Sequence, residues 1–142
     1  MAAKLSVGFT GTQQGMTSQQ LETLGKILNN LKADILNVHH GDCIGSDEEF
    51  HLMSQKLALP VVGHPPLKND KRAFCAGFTE VRPRKDYLVR NKDIVDESDV
   101  LIAAPRLPKE ELRSGTWATV RYARRIKKRT IVIFPDGKTE NK

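Results

Sequence analysis

The stretch that decides the fold is Asp99-Val100-Leu101-Ile102-Ala103-Ala104-Pro105, followed after a polar loop by Arg113-Ser114-Gly115-Thr116-Trp117-Ala118-Thr119. The first part is apolar and short, which predicts a buried strand from Val100 to Ala103. The second part opens a segment with helical character, from Gly115 to Lys127. A strand, a turn of small residues and a helix in this order build an anion site, because free N–H groups and the helix dipole favour negative charge at the helix start.

The residues of this turn have the chemistry that a phosphate group requires. Gly115 has no Cβ, so a phosphate can approach the backbone closely. Ser114 and Thr116 add hydroxyl donors, and Arg113 adds a fixed positive fork. The alternative is an ordinary helix start, with Ser114 as N-cap and a glycine in the first turn. The sequence leaves both interpretations open.

Strands and helices alternate along the rest of the chain. The predicted strands are Leu5–Phe9, Ile35–His39, Pro60–Gly63, Val100–Ala103 and Thr130–Phe134. Helices are predicted to begin at Thr17 and Ser46, each with a capping box, and at Asp86 and Gly115, and a polar tail covers Lys138–Lys142. This alternation predicts an α/β fold, with a doubly wound, mostly parallel five-stranded sheet and helices on both faces.

Small and polar residues follow three of the predicted strands. The carboxyl ends of parallel strands lie at one edge of a sheet, and ligands bind there. The three loops therefore predict a single ligand site at that edge. Its candidate residues are Gly11, Thr12, Gly41, Asp42, Gly45, Ser46, Asp47, Arg113, Ser114, Gly115 and Thr116.

Composition indicates one globular domain over residues 1–142, with 39% hydrophobic and 28% charged residues. No apolar run approaches the length of a membrane span, and the start at Met1 lacks the apolar region of a signal peptide. The two cysteines form neither a disulfide framework nor a zinc spacing, so we expect a cytoplasmic protein without a metal site. A formal charge of +6 suits a phosphate-bearing partner.

The segment from Leu67 to Lys85 lacks periodicity and is rich in cations, which predicts a mobile basic loop. Phe74 and Phe78 within it suit base stacking, or else they fix the loop to the body of the protein. We expect this loop to close over a bound phosphate. The cations in and beside this segment are Lys68, Lys71, Arg72, Arg82, Arg84, Lys85 and Arg90.

Aromatic and histidine side chains outside this loop are assigned mainly to the interior. Trp117, the only tryptophan, is expected in the core rather than against a base. One of His39 and His40 is expected to pack inside, which leaves the other free to reach a ligand. His51 directly follows the apolar stripe of its helix, so we expect it on the helix surface.

Four sequence blocks together resemble the SLOG superfamily, a Rossmann-like group that includes the DNA-processing protein A family and the lonely-guy phosphoribohydrolases. The blocks are loose individually, but their order and spacing are specific, and they cover most of the chain. They are Gly8–Thr12, His39–Asp47, Arg90–Val95 with Ser98–Ala103, and Ser114–Thr119. The resemblance implies a Rossmann-like fold with a nucleotide site at the carboxyl edge of the sheet.

The resemblance also bears on catalysis. Lonely-guy enzymes hydrolyse the glycosidic bond of nucleoside monophosphates with an arginine and a glutamate. Arg90 matches the arginine, which implies a phosphate or ribose contact and a catalytic role only if the chain is an enzyme. The glutamate position is Thr119, which cannot supply a carboxylate but is kept as a candidate ligand-binding residue. Asp42, Asp47, Glu49 and Glu111 are candidates to replace it.

These observations predict a protein that senses or sequesters a nucleotide or nucleotide-derived molecule, without a cofactor. An alternative is a nucleoside 5′-monophosphate phosphoribohydrolase. A third interpretation is single-stranded nucleic-acid binding through the basic loop. A homodimer or higher homo-oligomer is also compatible with the resemblance.

Overall fold

The computed structural model describes residues 4–141, and the ends of the chain named above, Met1–Ala3 and Lys142, lie outside it. Residues 4–141 contain four helices, and a short 3-10 turn follows the first at Lys32–Asp34. The helices are α1 (Ser18–Leu31), α2 (Ser46–Lys56), α3 (Tyr87–Asp96) and α4 (Gly115–Arg125). The strands are β1 (Leu5–Gly11), β2 (Ile35–His40), β3 (Val61–Gly63), β4 (Glu80–Val81), β5 (Val100–Ala104), β6 (Arg129–Ile133) and β7 (Thr139–Asn141).

The strands form one seven-stranded sheet in the order β4-β3-β2-β1-β5-β6-β7. Neighbouring strands are parallel from β4 to β6, and β7 runs antiparallel to β6. The prediction of five strands is therefore wrong. The two missed strands lie at the edges of the sheet, where the polar residues of Thr139–Asn141 and the short Glu80–Val81 carry no apolar pattern.

The sheet is covered on both faces, as predicted. On one face Phe9, Leu28 and Ile102 belong to a core that also contains residues of α1 and α2. On the other face Leu101 and Trp117 belong to a second core built with α3 and α4. Leu101 and Ile102 are neighbours in β5 and are fully buried in opposite cores, because successive side chains of a strand point to opposite faces. Trp117 is in the core, as expected.

All four predicted helix starts lie within one residue of the observed ones, but one of the two predicted capping boxes is absent. Thr17 forms the predicted capping box with Gln20, and the Ser114 hydroxyl accepts a hydrogen bond from the Trp117 N–H. The capping box predicted at Ser46 is absent, because the N-cap of α2 is Gly45 and Ser46 is already helical. The Ser46 hydroxyl instead donates to the carbonyl oxygen of Thr12 at 2.6 Å.

No helix among residues 4–141 combines the length and the apolar composition that crossing a membrane requires.

Candidate functional site

The carboxyl ends of β1, β2 and β5 meet at one edge of the sheet, because β1 pairs in parallel with both other strands. The loop after β1 is fixed on both sides. The Thr12 N–H donates to the Ala104 carbonyl oxygen at 3.1 Å, and the Thr12 carbonyl oxygen accepts from the Ser46 N–H at 3.1 Å. The three small-residue loops therefore surround one crevice, as their positions in the sequence predict.

The first cavity of this crevice, called here the anion cavity, has a volume of about 360 Å³. It lies between the loop after β1 and the start of α4, and it includes Arg106 and Arg113. Within residues 4–141, the N–H groups of Gly115 and Thr116 have no hydrogen-bond partner. Arg106 pairs with Glu111 at 2.6 Å, whereas Arg113 forms no ion pair within the described residues. The cavity is therefore electropositive, with free backbone donors.

Tyr87, the first residue of α3, lies over the start of α4. A Cβ atom at position 115 would collide with the Tyr87 hydroxyl, so the glycine makes room for this ring. The Arg90 guanidinium lies 4.8 Å from the centre of the same ring, within cation–π distance. Gly115 thus has a packing role in addition to the phosphate contact predicted for it. Tyr87 is a site residue that sequence reasoning missed, because nothing in its local sequence indicates its contact with Gly115.

Arg90 lies at the floor of the crevice and is 3% exposed. Its Nη1 donates to the carbonyl oxygens of Gly41 at 2.6 Å and His64 at 3.1 Å, and its Nε donates to Asn91 at 2.8 Å. Within the described residues, Nη2 has only the Cys43 sulfur, at 3.6 Å. The guanidinium thus has one weakly satisfied N–H edge within the protein interior.

Asp47 shares a narrow slot with Arg90 and Cys43. Its carboxylate accepts from the N–H groups of Gly41 and Cys43, both at 3.2 Å. Burial raises the pKa of Asp47 to about 6, and the opposing charge of Arg90 limits that rise. Burial likewise raises the pKa of the Cys43 thiol to about 11, so this cysteine is protonated near neutral pH.

Asp42 has a different environment from Asp47. It is fully buried and adopts a positive φ of 55°. Its carboxylate accepts from the Arg72 Nε and from the Cys75 N–H, each at 2.9 Å. These partners belong to the segment predicted to be a mobile loop, so Asp42 fixes part of that segment. The Asp42 side chain lines neither the anion cavity nor the slot.

All four histidines are buried, and they form two hydrogen-bonded pairs on opposite faces of the sheet. The expectation of a surface position for His51 is wrong, since this residue is 1% exposed. Both His39 and His40 are buried, so neither is left free, and neither lines the anion cavity or the slot. The apolar stripe of α2 did not indicate the burial of His51, because the segment that covers it, around Ala76, lies far along the chain.

Two groups of side chains bring three possible metal ligands together, namely His40, His51 and Cys75, and His39, His64 and Glu97. In the first group the Asp42 N–H donates to Nδ1 of His40 at 2.9 Å, so the ring proton is on Nε2. That proton is donated to His51, which leaves His40 no lone pair for a metal. In the second group Glu97 is held by Arg82 at 2.8 Å. Hydrogen bonds and an ion pair within the protein therefore account for both groups.

No protein-family model and no curated protein sequence matches the chain. Several solved structures do. The chain is 20% identical to a molybdenum cofactor binding protein from Rippkaea orientalis, with a TM-score of 0.70 over 94% of this chain and 78% of the other. It is 16% identical to DNA processing protein A from Streptococcus pneumoniae, with a TM-score of 0.65 over 91% of this chain and 50% of the other. The chain thus spans half the length of that protein.

A further structure is the molybdenum cofactor carrier protein from Chlamydomonas reinhardtii, 18% identical, with a TM-score of 0.64 over 91% of this chain and 75% of the other. The chain under study shares the Rossmann-like fold of these three structures. At these identities the comparison establishes the Rossmann-like architecture, and the chemistry of the site depends on the chain's own residues.

Thr119 is the residue that the sequence resemblance assigned to the glutamate position of the lonely-guy hydrolases. It is 3% exposed, and its hydroxyl donates to the Gly115 carbonyl oxygen at 2.9 Å within α4. Thr119 lines a cavity between α3 and α4 and does not line the anion cavity. Among the possible replacements, Glu49 accepts from the Met16 N–H at 2.7 Å and Glu111 pairs with Arg106. Of the four carboxylates, Asp47 is the one that lies beside Arg90 in the slot.

Gly11, Gly41 and Gly45 have packing roles at the same edge of the sheet. A Cβ at position 11 would overlap Ser46, and one at position 41 would overlap the Arg90 guanidinium. The structure therefore brings most of the predicted site residues to one edge of the sheet. It separates them into residues that line the cavities and residues, such as Asp42 and Ser46, that hold the loops in place.

Proposed function

We propose that this chain binds a phosphate-bearing small molecule, a nucleotide or a related heterocyclic phosphate, at the carboxyl edge of its SLOG-fold sheet. The observation that carries this proposal is the anion cavity, where Arg113 and the free N–H groups of Gly115 and Thr116 converge. A phosphate accepts several such hydrogen bonds at once.

Two further observations support the proposal. The buried Nη2 of Arg90 has only a thiol partner in the described part of the chain, which leaves a charged donor close to the crevice. Two of the solved structures with this fold are described as binding or carrying a small molecule, the molybdenum cofactor. A small anionic ligand therefore agrees with both the local chemistry and the fold.

Calorimetric titration of Arg113→Ala tests this proposal, with Arg129→Ala as a matched control. Arg129 is an exposed arginine at the start of β6, at the opposite edge of the sheet. We expect inorganic phosphate and nucleoside monophosphates to bind the native protein. Arg113→Ala should weaken both by about tenfold or more, because it removes a charge-assisted hydrogen bond worth about 1.5–3 kcal/mol. Arg129→Ala should bind as the native protein does. The absence of phosphate binding to the native protein would overturn the proposal, and so would equal affinities of the two variants.

Hydrolysis of a nucleoside monophosphate is a second candidate, because Asp47 and Arg90 lie together in the slot. Without a carboxylate at position 119, we expect release of free base near background. Chromatography of the reaction products measures this directly. Turnover above about one per minute, abolished by Asp47→Asn, would identify the chain as a hydrolase instead.

A further inference from the structure

A second cavity of about 300 Å³ lies beside the anion cavity. The two cavities share Gln13 and Tyr87, so the side chain of Tyr87 stands between them. Each volume is at the lower end of the range for small-molecule sites, and together they suit one ligand with two chemically different ends.

The wall of the second cavity has an apolar part that suits a flat ring. Pro66 and Leu67 line it together with Tyr87, and the protonated thiol of Cys43 is also present. Arg90 approaches the Tyr87 ring to 4.8 Å, so a cation supports this side chain from within the protein. Aromatic rings stack on such surfaces through dispersion and area burial.

The charged residues of the second cavity distinguish it from the anion cavity. Lys68 and Lys71 are balanced by Asp70 and Asp86, so these side chains do not provide a net positive charge for a phosphate. Asp86 occupies the N-cap position of α3, yet its side chain makes no capping hydrogen bond. Its carboxylate is therefore available to accept hydrogen bonds from a ligand. Adjacent N–H donors on a ring satisfy the two oxygens of one carboxylate.

We propose that the second cavity binds a flat heteroaromatic ring with adjacent N–H and NH₂ donors, the edge shared by guanine and pterins, of the ligand whose phosphate occupies the anion cavity. This inference rests on the proposed function. It predicts recognition of a guanine nucleotide or a pterin phosphate, with the ring against Leu67 and Tyr87 and its donor edge toward Asp86.

Calorimetry with four probes tests the inference: inorganic phosphate, GMP, AMP and a pterin monophosphate. We expect GMP or the pterin phosphate to bind at least about tenfold more tightly than inorganic phosphate. AMP should bind more weakly than GMP, because adenine cannot offer two adjacent donors to a carboxylate. The tighter of GMP and the pterin phosphate identifies the source of the ring.

Two variants and one matched control separate the ring from the phosphate. Leu67→Asp should lower the affinity for GMP and the pterin phosphate by about tenfold and leave that for inorganic phosphate unchanged. Leu52→Asp is the control, because Leu52 is 59% exposed and Leu67 is 56% exposed, but Leu52 lies on α2 outside the second cavity. Asp86→Asn should remove the preference for GMP over AMP without altering the circular dichroism spectrum.

The outcomes distinguish this inference from the proposed function. If no probe binds, the proposed function fails and the inference fails with it. If inorganic phosphate binds but neither GMP nor the pterin phosphate binds more tightly, only the ring site is overturned. The same conclusion follows if Leu67→Asp and Leu52→Asp have equal affinities, or if Asp86→Asn retains the full preference for GMP.

Discussion

Gly45 joins the crevice loops to the start of α2, and both its conformation and its surroundings require glycine. Its φ is +85°, and a Cβ there would overlap the carbonyl group of Gln13. We expect Gly45→Ala to lower the free energy of unfolding by about 2–3 kcal/mol, because the variant combines backbone strain with displacement of the Gln13 loop. Urea denaturation followed by circular dichroism measures the change.

Gly25→Ala is the matched control for this prediction. Gly25 lies inside α1, and a Cβ there would meet Met53 at an ordinary 3.8 Å. We expect this variant to gain about 0.5–1 kcal/mol, since alanine is the better helix former. Equal effects of the two substitutions would contradict the packing role assigned to Gly45.

The buried histidines make stability depend on pH. Desolvation lowers the pKa of His39 and His64, that of His64 to about 4, against the opposing charge of Glu97. Desolvation also lowers the pKa of His40, helped by His51 and Arg90. Protonated Nδ1 of His40 would face the Asp42 N–H, a donor against a donor. The folded state therefore favours neutral rings at these positions.

A lowered folded-state pKa means that the unfolded chain binds more protons below its own value near 6.5, so stability falls as the pH falls from about 6.5 toward 4. At pH 5, each imidazole that stays neutral in the folded state lowers the free energy of unfolding by up to about 2 kcal/mol. Asp47 opposes this trend, because its raised pKa adds stability in the acid range. Since three groups outweigh one, we expect a clearly lower urea midpoint at pH 5 than at pH 7. An unchanged midpoint would contradict the neutral, hydrogen-bonded pairs.

Among the elements, the segment 67–85 differs most from what the sequence predicts, which is a mobile basic loop. Its middle is anchored: the Ala73 N–H donates to the Asp42 carbonyl oxygen at 2.8 Å, and the Ala76 carbonyl oxygen accepts from His51 at 2.6 Å. Its later part contains β4, which pairs with β3. Residues 67–71 are exposed and line the second cavity except for Asn69. Backbone hydrogen bonds hold both ends of this stretch, since the Leu67 N–H donates to the Lys85 carbonyl oxygen and the Lys71 carbonyl oxygen accepts from the Ile44 N–H. Mobility and closure over a ligand stay predictions, and residues 68–70, between these two anchors, are the part best placed for both.

Hydrogen exchange with mass spectrometry tests this division within one segment. We expect the amides of Ala73, Thr79 and Arg82 to exchange slowly, because each is hydrogen-bonded to backbone outside the segment. The amides of Lys68 and Asp70 should exchange rapidly in the free protein and more slowly with GMP. Slow exchange at Lys68 and Asp70 without ligand would identify a rigid wall and exclude a closing movement.

At the scale of the whole molecule, the crevice depends on contacts between residues far apart in the chain. Arg90 in α3 binds the carbonyl oxygen of Gly41 across 49 positions. Thr12 connects the loops of β1, β2 and β5 through backbone hydrogen bonds. The basic residues lie at both edges of the sheet. Arg106 and Arg113 line the anion cavity, whereas Arg129 lies at the opposite edge. The net charge of +6 therefore describes the molecule without locating its binding site.

The sequence by itself determined the alternation of strands and helices, the two buried faces of the sheet and the edge at which the small-residue loops meet. These features follow from periodicity and capping between near neighbours, as at Thr17 and Gln20. The edge strands β4 and β7 were not predicted. They form through backbone pairing with a neighbouring strand, and their side chains carry no apolar pattern.

Only the tertiary structure decided which residues of those loops line the crevice. Asp42 and Asp47 are five positions apart in similar polar contexts. Arg72 and Cys75 donate hydrogen bonds to the Asp42 carboxylate, whereas Asp47 lies in the slot beside Arg90. The burial of His51 under Ala76 and the position of Tyr87 over Gly115 have the same origin. In each case the partner is distant in the chain, so local sequence contains no signal for the contact that fixes the side chain.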